Sequence, residues 1–167
     1  MRARLALALL GAWLGVLLAS WAAATLSLRV VDRALGPAGR EELAARLSPV
    51  ASDDRRAVLR HLAAESNRSL FRGWAVAQLF VGSLVLALLG TKPGTPRWLA
   101  AAALVIVIGQ AALGRPITSL GRAFDFVPRP LPGELGRRFG LLHGAFVLLD
   151  LVKAGLLAAA TGLLARR

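Results

Sequence analysis

Uncharged, mostly apolar residues fill three long runs of the chain, residues 5–28, 73–91 and 98–114. A fourth apolar run, residues 139–165, carries only a few ionisable side chains. About 20 apolar residues in a helix cross the hydrocarbon layer of a bilayer, and a backbone inside lipid must satisfy its own hydrogen bonds. The pattern therefore predicts an all-α fold, a four-helix transmembrane bundle that forms one integral membrane domain over residues 1–167.

The polar segment between the first two spans, residues 29–72, is predicted to be an amphipathic helical excursion. Proline-containing pairs at residues 36–37 and 48–49 are expected to interrupt it. Ser52 is a typical N-cap, and two aspartates follow it where the helix dipole favours acids. Because no Gly or Pro stands between Ser52 and Arg72, one nearly continuous helix from Ser52 to Gly90 is predicted.

The segment before the last span, residues 115–138, contains four prolines and three glycines. Proline removes a backbone donor and clashes with the preceding helical turn. The composition therefore predicts an interfacial loop here, with at most two helical turns.

The start of the chain raises the question of a signal peptide. Arg2 and Arg4 precede the first span, and residues 22–24 form an Ala-x-Ala site. We expect an uncleaved helix, because the apolar run is longer than the roughly 7–15 residues of a signal core and continues past the site. We expect both termini on the cytoplasmic side, because the first span begins with basic residues and usually dominates the orientation. The total of Lys and Arg in the two longer polar segments favours the opposite orientation.

Composition agrees with a membrane protein, because 56% of the 167 residues are hydrophobic against about 45–50% in soluble domains. The chain has no cysteine, which excludes disulfides and thiolate metal ligands. Its formal net charge is +12, and its arginines flank the apolar runs as a membrane interface requires. They are not interleaved with aromatic side chains that could stack on bases, so the expected partner is the lipid bilayer and not nucleic acid.

The last span carries the candidate site, a polar cluster of His143, Asp150 and Lys153. His143 and Asp150 are seven residues apart and share a helix face, and Lys153 is one turn beyond Asp150. The midpoint of a span over residues 141–164 falls near this pair, where a charge costs about 2.5–3.5 kcal/mol on insertion scales. We therefore expect these groups to face the bundle interior and to find partners there.

Three interpretations of this cluster remain open. Asp150 and Lys153 can form a neutralised pair that holds the bundle together, with His143 hydrogen-bonded near the interface. The three side chains can instead form a proton or ion path, since such groups inside membranes often do. As a third possibility, His143 can bind a haem or another porphyrin or metal, although a second His ligand would have to come from another subunit.

Other residues are expected to support the bundle. Small residues recur every four positions in the first span and permit close approach of another helix, and the polar side chains inside or beside the spans can bond across helices. The predicted packing glycines are Gly11, Gly15, Gly140 and Gly144, and the predicted supporting polar residues are Asn67, Gln78 and Gln110. His61 is predicted to be a surface residue, because it lacks ligand-spaced neighbours. No catalytic motif or metal-ligand set is found in the sequence.

The start of the last span, RRFGLLHGAFVLLDLVKAGLL, resembles the FxxLHGxxxLLNLL-type signature of the bacterial family called domain of unknown function 4149, which is similar to eukaryotic transmembrane protein 205. The segments SLGRAFDFVPRPLP and ESNRSLFRGWAVAQLFVG resemble related bacterial four-span proteins. The resemblance covers about half of the chain, and His143-Gly144 is its most specific part. Asp150 departs from the pattern, where Asn is common.

The resemblance implies a multi-pass protein of the bacterial inner membrane. The wider relatives of this family include copper-resistance proteins and a protoporphyrinogen oxidase, which is why a porphyrin- or metal-linked redox protein is one expected alternative. The function expected first is a structural or accessory, non-enzymatic bundle without a cofactor, able to form homo-oligomers or to bind other membrane proteins. A transporter component for protons, ions or small molecules is the third expectation.

Overall fold

The computed structural model describes residues 1–36, 41–91, 94–127 and 133–166. This part of the chain contains five α-helices and no β-strand: α1 (Arg2–Ala34), α2 (Glu41–Leu47), α3 (Ser52–Leu89), α4 (Thr95–Ala123) and α5 (Gly133–Ala165). All of them except α2 are long and apolar enough to cross a membrane. The structure confirms the predicted all-α class.

Helix α3 is continuous from the polar segment into the second apolar run, as the sequence predicts. Two aspartates lie in its first turn, but Ala51 and not Ser52 occupies the N-cap position. The helix ends at Gly90, whose φ of 73° lies in the left-handed region that glycine adopts without steric cost. The Arg97 side chain donates hydrogen bonds to the carbonyls of Leu86 and Gly90, which satisfies acceptors left without partners at the end of α3.

Helix α4 is longer than the sequence indicates. It passes through Pro116 and ends at Ala123, so residues 115–123 are helical where an interfacial loop is predicted. Neighbouring helices can supply the packing that lets a proline remain inside a membrane-associated helix. Helix α5 begins at Gly133, earlier than the predicted start of the span, and residues 128–132 of the predicted loop lie outside the described residues.

The four long helices form a ring in which α1 packs on α3, α3 on α4, α4 on α5, and α5 on α1. Neighbours in the ring are antiparallel, since each connection returns the chain to the same end of the bundle. Each helix turns one narrow row of residues inward, with spacings that alternate between three and four. We call these rows the seam; its members are Ala6, Leu10, Trp13, Leu17 and Ser20 of α1, Gln78, Gly82 and Val85 of α3, Ala100, Ala103, Val107 and Gln110 of α4, and Asp150, Lys153, Leu157, Ala160 and Leu164 of α5.

A spacing of 3.5 residues is that of coiled-coil-like helix bundles. The opposite faces of the same helices expose large apolar side chains, among them Val76, Phe80, Val105 and Leu148. Such an outward apolar surface suits contact with lipid. The molecule thus has a narrow interior that includes polar groups and an apolar exterior along its spans.

The glycines predicted to pack helices together do not do so within this chain. A Cβ placed on Gly11, Gly15, Gly140 or Gly144 would meet no atom within 4 Å, and all four residues are exposed. The close contact is instead at Gly82, where a Cβ would lie 2.7 Å from Leu104 Cδ1 and 2.8 Å from Trp13 Cη2. Helical periodicity shows that small residues share a face, but it does not show which face the neighbouring helices cover.

Candidate functional site

Three polar members of the seam, Gln110, Asp150 and Lys153, form one hydrogen-bonded cluster with Trp21 between α1, α4 and α5. Lys153 Nζ lies 2.7 Å from Asp150 Oδ1 and donates to Gln110 Oε1 at 2.6 Å. Gln110 Nε2 donates to Asp150 Oδ1 at 2.8 Å and to the Phe146 carbonyl at 3.2 Å. Trp21 Nε1 donates to Asp150 Oδ2 at 3.0 Å. We call Trp21, Gln110, Asp150 and Lys153 the buried network.

The buried network leaves few of its polar atoms without a partner. Asp150 is 4% exposed and Lys153 1% exposed, so water contributes little to their solvation. Both carboxylate oxygens of Asp150 accept hydrogen bonds, and both ends of the Gln110 amide are used. A buried ion pair is tolerated when further hydrogen bonds satisfy its remaining lone pairs, and this arrangement meets that condition.

The buried network lies away from the middle of the bundle. Gly82 and Leu104 lie close together, near the centres of the uncharged runs of α3 and α4. Gln110 is six residues beyond Leu104, which is about 9 Å along the helix axis. Asp150 and Lys153 therefore lie towards the end of the bundle that holds the C-terminus of α1.

A second buried hydrogen bond lies nearer the middle of the bundle. Trp13 Nε1 donates to Gln78 Oε1 at 3.1 Å, and both side chains are buried. The indole reaches Gln78 because Gly82, one turn along α3, has no side chain to occupy the space. Gln78 thus bonds across helices as predicted, with α1 as its partner.

His143 lies apart from the buried network, which corrects the predicted cluster. Its side chain is exposed, and its ring stacks on Phe139 with centroids 5.6 Å apart and an interplanar angle of 6°. The spacing of seven residues does place His143 in line with Asp150 on α5. However, the row of buried residues on α5 begins only at Asp150, and in the preceding turns the rings that pack on other helices or on the turn after α4 are Phe139 and Phe146.

A further polar cluster joins the N-terminal half of α3 to the end of α4, outside the uncharged runs. Arg68 lies between two acids, with Nη1 2.8 Å from Glu65 Oε1 and Nη2 2.7 Å from Asp125 Oδ1. Arg122 Nε donates to Glu65 Oε1 at 2.8 Å, and His61 Nδ1 lies 2.8 Å from Asp125 Oδ2. We call these five residues the outer network.

The charges of the outer network stabilise one another. Hydrogen bonds from Arg122 and then Arg68 lower the pKa of Glu65 to about 2. Burial raises the pKa of Asp125, but the hydrogen bonds and charges of Arg68 and His61 outweigh burial and leave that pKa below its ordinary value. Two carboxylates thus remain charged against two guanidinium groups, and the cluster fixes the turn after α4 against α3.

Asn67, the remaining predicted polar residue, holds α3 against α1. Its Nδ2 donates to Ser27 Oγ at 2.8 Å and to the Ala24 carbonyl at 3.4 Å. Near the same end of the bundle, Arg60 Nη2 lies 2.8 Å from Asp32 Oδ1. These contacts make Asn67 part of the α1–α3 interface and not of the buried network.

Several contacts have no clear signal in the sequence. His61 was predicted to lie on the surface, yet it is half-buried, bonds to Asp125 and packs on Phe126 with ring centroids 5.0 Å apart. Trp21 has no special position in the first apolar run, although its indole N–H reaches Asp150. Both contacts join residues more than 60 positions apart, and only the tertiary arrangement brings such pairs together.

Within the ranges that the structure describes, no group of three or more His, Cys, Asp or Glu side chains is placed to hold a metal ion. Comparison of the chain with protein-family models, with curated proteins and with solved structures gave no match. The conclusions about this protein therefore rest on its own residues: four helices suited to a membrane, a buried network between three of them, and an outer network at one end.

Proposed function

We propose that this protein is a structural or accessory, non-enzymatic membrane protein, and that the buried network holds the helices of its bundle together. The observation that supports this proposal most directly is that the polar groups of the network bond to one another. Lys153 and Asp150 are paired and almost fully buried, and their neighbours Gln110 and Trp21 bond to them from α4 and α1. A network satisfied from within links three helices without requiring a bound substrate.

A proton or ion path is the second candidate, and one observation favours it. Polar groups occur at successive depths along the bundle, from the outer network through the buried network to Gln78. Ionisable groups within spans often belong to such paths. The proposal of a purely structural role is preferred because the described contacts engage these side chains with one another.

The porphyrin alternative is poorly supported by the residues present. Its one ligand within a described span would be His143, whose ring stacks on Phe139 on an exposed face of α5. The second histidine of the chain, His61, bonds to Asp125 at the outer network. These two histidines lie in separate surroundings and do not form a pocket for a porphyrin within one chain.

The inner membrane of a bacterium is the proposed location, supported by the resemblance of the α5 sequence to the domain-of-unknown-function 4149 family. Membership of that family and similarity to transmembrane protein 205 remain predictions. Association between copies of the chain is a further proposal. It is supported by the row of small, exposed residues on α1, which could admit a second helix.

Proton flux into vesicles distinguishes the structural role from the path. The purified full-length protein is reconstituted into vesicles that contain a pH-sensitive dye, and a pH step is imposed outside. We expect wild type and the double variant Asp150→Leu/Lys153→Met to acidify at the same rate as vesicles with the control variant Leu148→Met, whose side chain is exposed. Faster acidification with wild type that the double variant abolishes would contradict the structural role and support the path.

A further inference from the structure

An arginine pair lies at the edge of the spans, in the outer groove between α3 and α4. The register of these two helices is known from the outer network, where Glu65 of α3 bonds to Arg122 of α4. Arg72 is seven residues beyond Glu65, and Arg115 is seven residues before Arg122. Seven residues return a side chain to nearly the same helix face, about 10.5 Å further along the axis.

The step from Glu65 to Arg72 runs forward along α3, and the step from Arg122 to Arg115 runs backward along α4. Because the two helices are antiparallel, both steps lead in the same direction along the bundle. Arg72 and Arg115 therefore lie at the same depth on the groove already occupied by Glu65 and Arg122. Both arginines are exposed. They also mark the boundary of the apolar region, since residue 73 begins the uncharged run of α3 and residue 114 ends that of α4.

The charge around this pair is not balanced. In the outer network, Glu65 and Asp125 are engaged by Arg68 and Arg122. Within the described ranges, no carboxylate oxygen lies within 4.0 Å of a nitrogen of Arg72 or Arg115. Two guanidinium groups at one depth thus add two positive charges that repel each other, and an anion placed between them would offset this repulsion.

Seven residues from Arg72 and from Arg115, towards the middle of the spans, the same groove becomes apolar. The corresponding positions are Leu79 and Ile108, and both are exposed. Guanidinium groups bind phosphate oxygens through paired N–H donors, and an apolar groove next to them suits an acyl chain. A phosphate at the level of the arginines with hydrocarbon directly below it is the arrangement of a phospholipid in its bilayer.

We propose that the α3–α4 groove is a binding site for an anionic phospholipid. The phosphate lies between Arg72 and Arg115, and an acyl chain follows Leu79 and Ile108. Basic positions between helices at the bilayer surface bind anionic headgroups in this way. An anionic lipid is favoured over a zwitterionic one, because the cation of a zwitterionic headgroup would neutralise the phosphate and leave the positive charge of the two arginines unbalanced.

The test measures lipid binding to the full-length protein in non-ionic detergent by native mass spectrometry, with phosphatidylglycerol and phosphatidylcholine as probes. We expect wild type to prefer phosphatidylglycerol. At about 1 kcal/mol for each arginine near the surface, Arg72→Gln and Arg115→Gln should each weaken its binding about fivefold, and the double variant about 30-fold.

The matched control is Arg56→Gln/Arg138→Gln, which removes two exposed arginines from the same end of the molecule but outside this groove. It should leave the preference for phosphatidylglycerol within about twofold of wild type, since surface charge beyond a Debye length is screened. An equal loss in both double variants would overturn the proposal, because it would show diffuse attraction. An absence of preference between the two lipids would overturn it as well.

Soluble glycerol phosphate identifies the source of the phosphate. We expect it to displace phosphatidylglycerol only weakly, since it cannot use the apolar part of the groove; displacement at equal concentration would show a site for free anions and would overturn the lipid assignment. Thermal unfolding of each variant checks that it is folded. If the double variant does not fold, the fivefold losses expected of the two single variants decide the result.

Discussion

Lys153 is a fully buried charged residue in the interior of this bundle. Its ammonium group is 1% exposed and is held by Asp150 and Gln110. Removing one partner of a buried pair leaves the other charge uncompensated, which typically costs about 3–5 kcal/mol. We therefore expect Asp150→Ala and Lys153→Ala each to lower the free energy of unfolding by that amount, measured by denaturant titration in detergent.

The double variant Asp150→Leu/Lys153→Met should recover much of this loss, because it removes both charges and retains side-chain volume. Leu151→Ala is a suitable control, since Leu151 adjoins the pair in sequence but its side chain is exposed; it should change stability little. Single variants as stable as wild type would contradict the burial of the pair. A double variant no more stable than the single variants would show that Asp150 and Lys153 do not stabilise the fold as a pair.

Gly82 allows a second prediction at the scale of one residue. An added methyl group would collide with Leu104 and with the buried Trp13 ring, and overpacking of this kind costs about 1–3 kcal/mol. Gly73→Ala on the same helix is the matched control, because a Cβ there meets no atom within 4 Å and both substitutions gain the same helix propensity. We expect Gly82→Ala to be less stable than Gly73→Ala by about 1–3 kcal/mol, and equal stabilities would show that Trp13 does not fill this space.

Local spacing explains which parts of the site could be predicted from the sequence. Asp150 and Lys153 are one turn apart on one helix, so their pairing follows from helix geometry. Their partners Gln110 and Trp21 come from other helices, and no local pattern identifies them. The prediction for His143 was wrong for a related reason, since periodicity aligns His143 with Asp150 but does not show how far along that face the buried row extends.

At the scale of elements, the outer network ties α3 to α4 and makes their contact sensitive to acid. The pKa of Glu65 lies at about 2 against an ordinary value of 4.5. A carboxyl whose pKa is lowered by folding stabilises the fold above its ordinary pKa, and this contribution is lost as the pH falls towards the lowered value. We therefore expect the melting temperature to decrease between about pH 4.5 and pH 2.

Glu65→Gln provides the comparison for this prediction, because glutamine retains the shape of the side chain and cannot titrate. The variant should melt below wild type at pH 6, and the difference should shrink as the pH approaches 2. Asp125 is present in both proteins, so the difference reports on Glu65 together with its coupling to Asp125 through Arg68. A difference between the two proteins that stays constant from pH 6 to pH 2 would show that Glu65 does not form these ion pairs in the membrane protein.

The helices could be predicted from the sequence more accurately than the hydrogen-bond partners of the buried network. The absence of Gly and Pro before Arg72 predicted α3 as one helix, and the structure has it so. Residues 115–138 were expected to form an interfacial loop with at most two helical turns, yet α4 continues through Pro116 to Ala123. The difference arises because proline preference describes an isolated helix, whereas α4 packs on α3 and α5.

For the whole molecule, the order of the helices predicts where its connections lie. One span, α4, separates Gly94 from Gly133. The chain has no cysteine, so a single cysteine introduced at either position is the only thiol present. We expect membrane-impermeant maleimide to label the two single-cysteine proteins from opposite sides of sealed vesicles, with detergent-opened vesicles as the control; labelling from the same side would contradict a four-span arrangement.

The Trp21–Asp150 hydrogen bond joins the first long helix to the last and so closes the ring. This contact can form only after ribosomes have made α5, whereas the Asp150–Lys153 pair lies within α5 itself. The last segment can therefore enter the bilayer as a nearly neutral unit, before it meets Gln110 or Trp21. We expect α5 to insert into the membrane when it is expressed alone, and glycosylation mapping measures this insertion. Failure to insert would show that α5 needs the earlier helices in order to enter the bilayer. Biogenesis then separates into two stages: each segment first enters the bilayer according to its own polarity, and the Trp21–Asp150 contact forms when the inserted helices assemble.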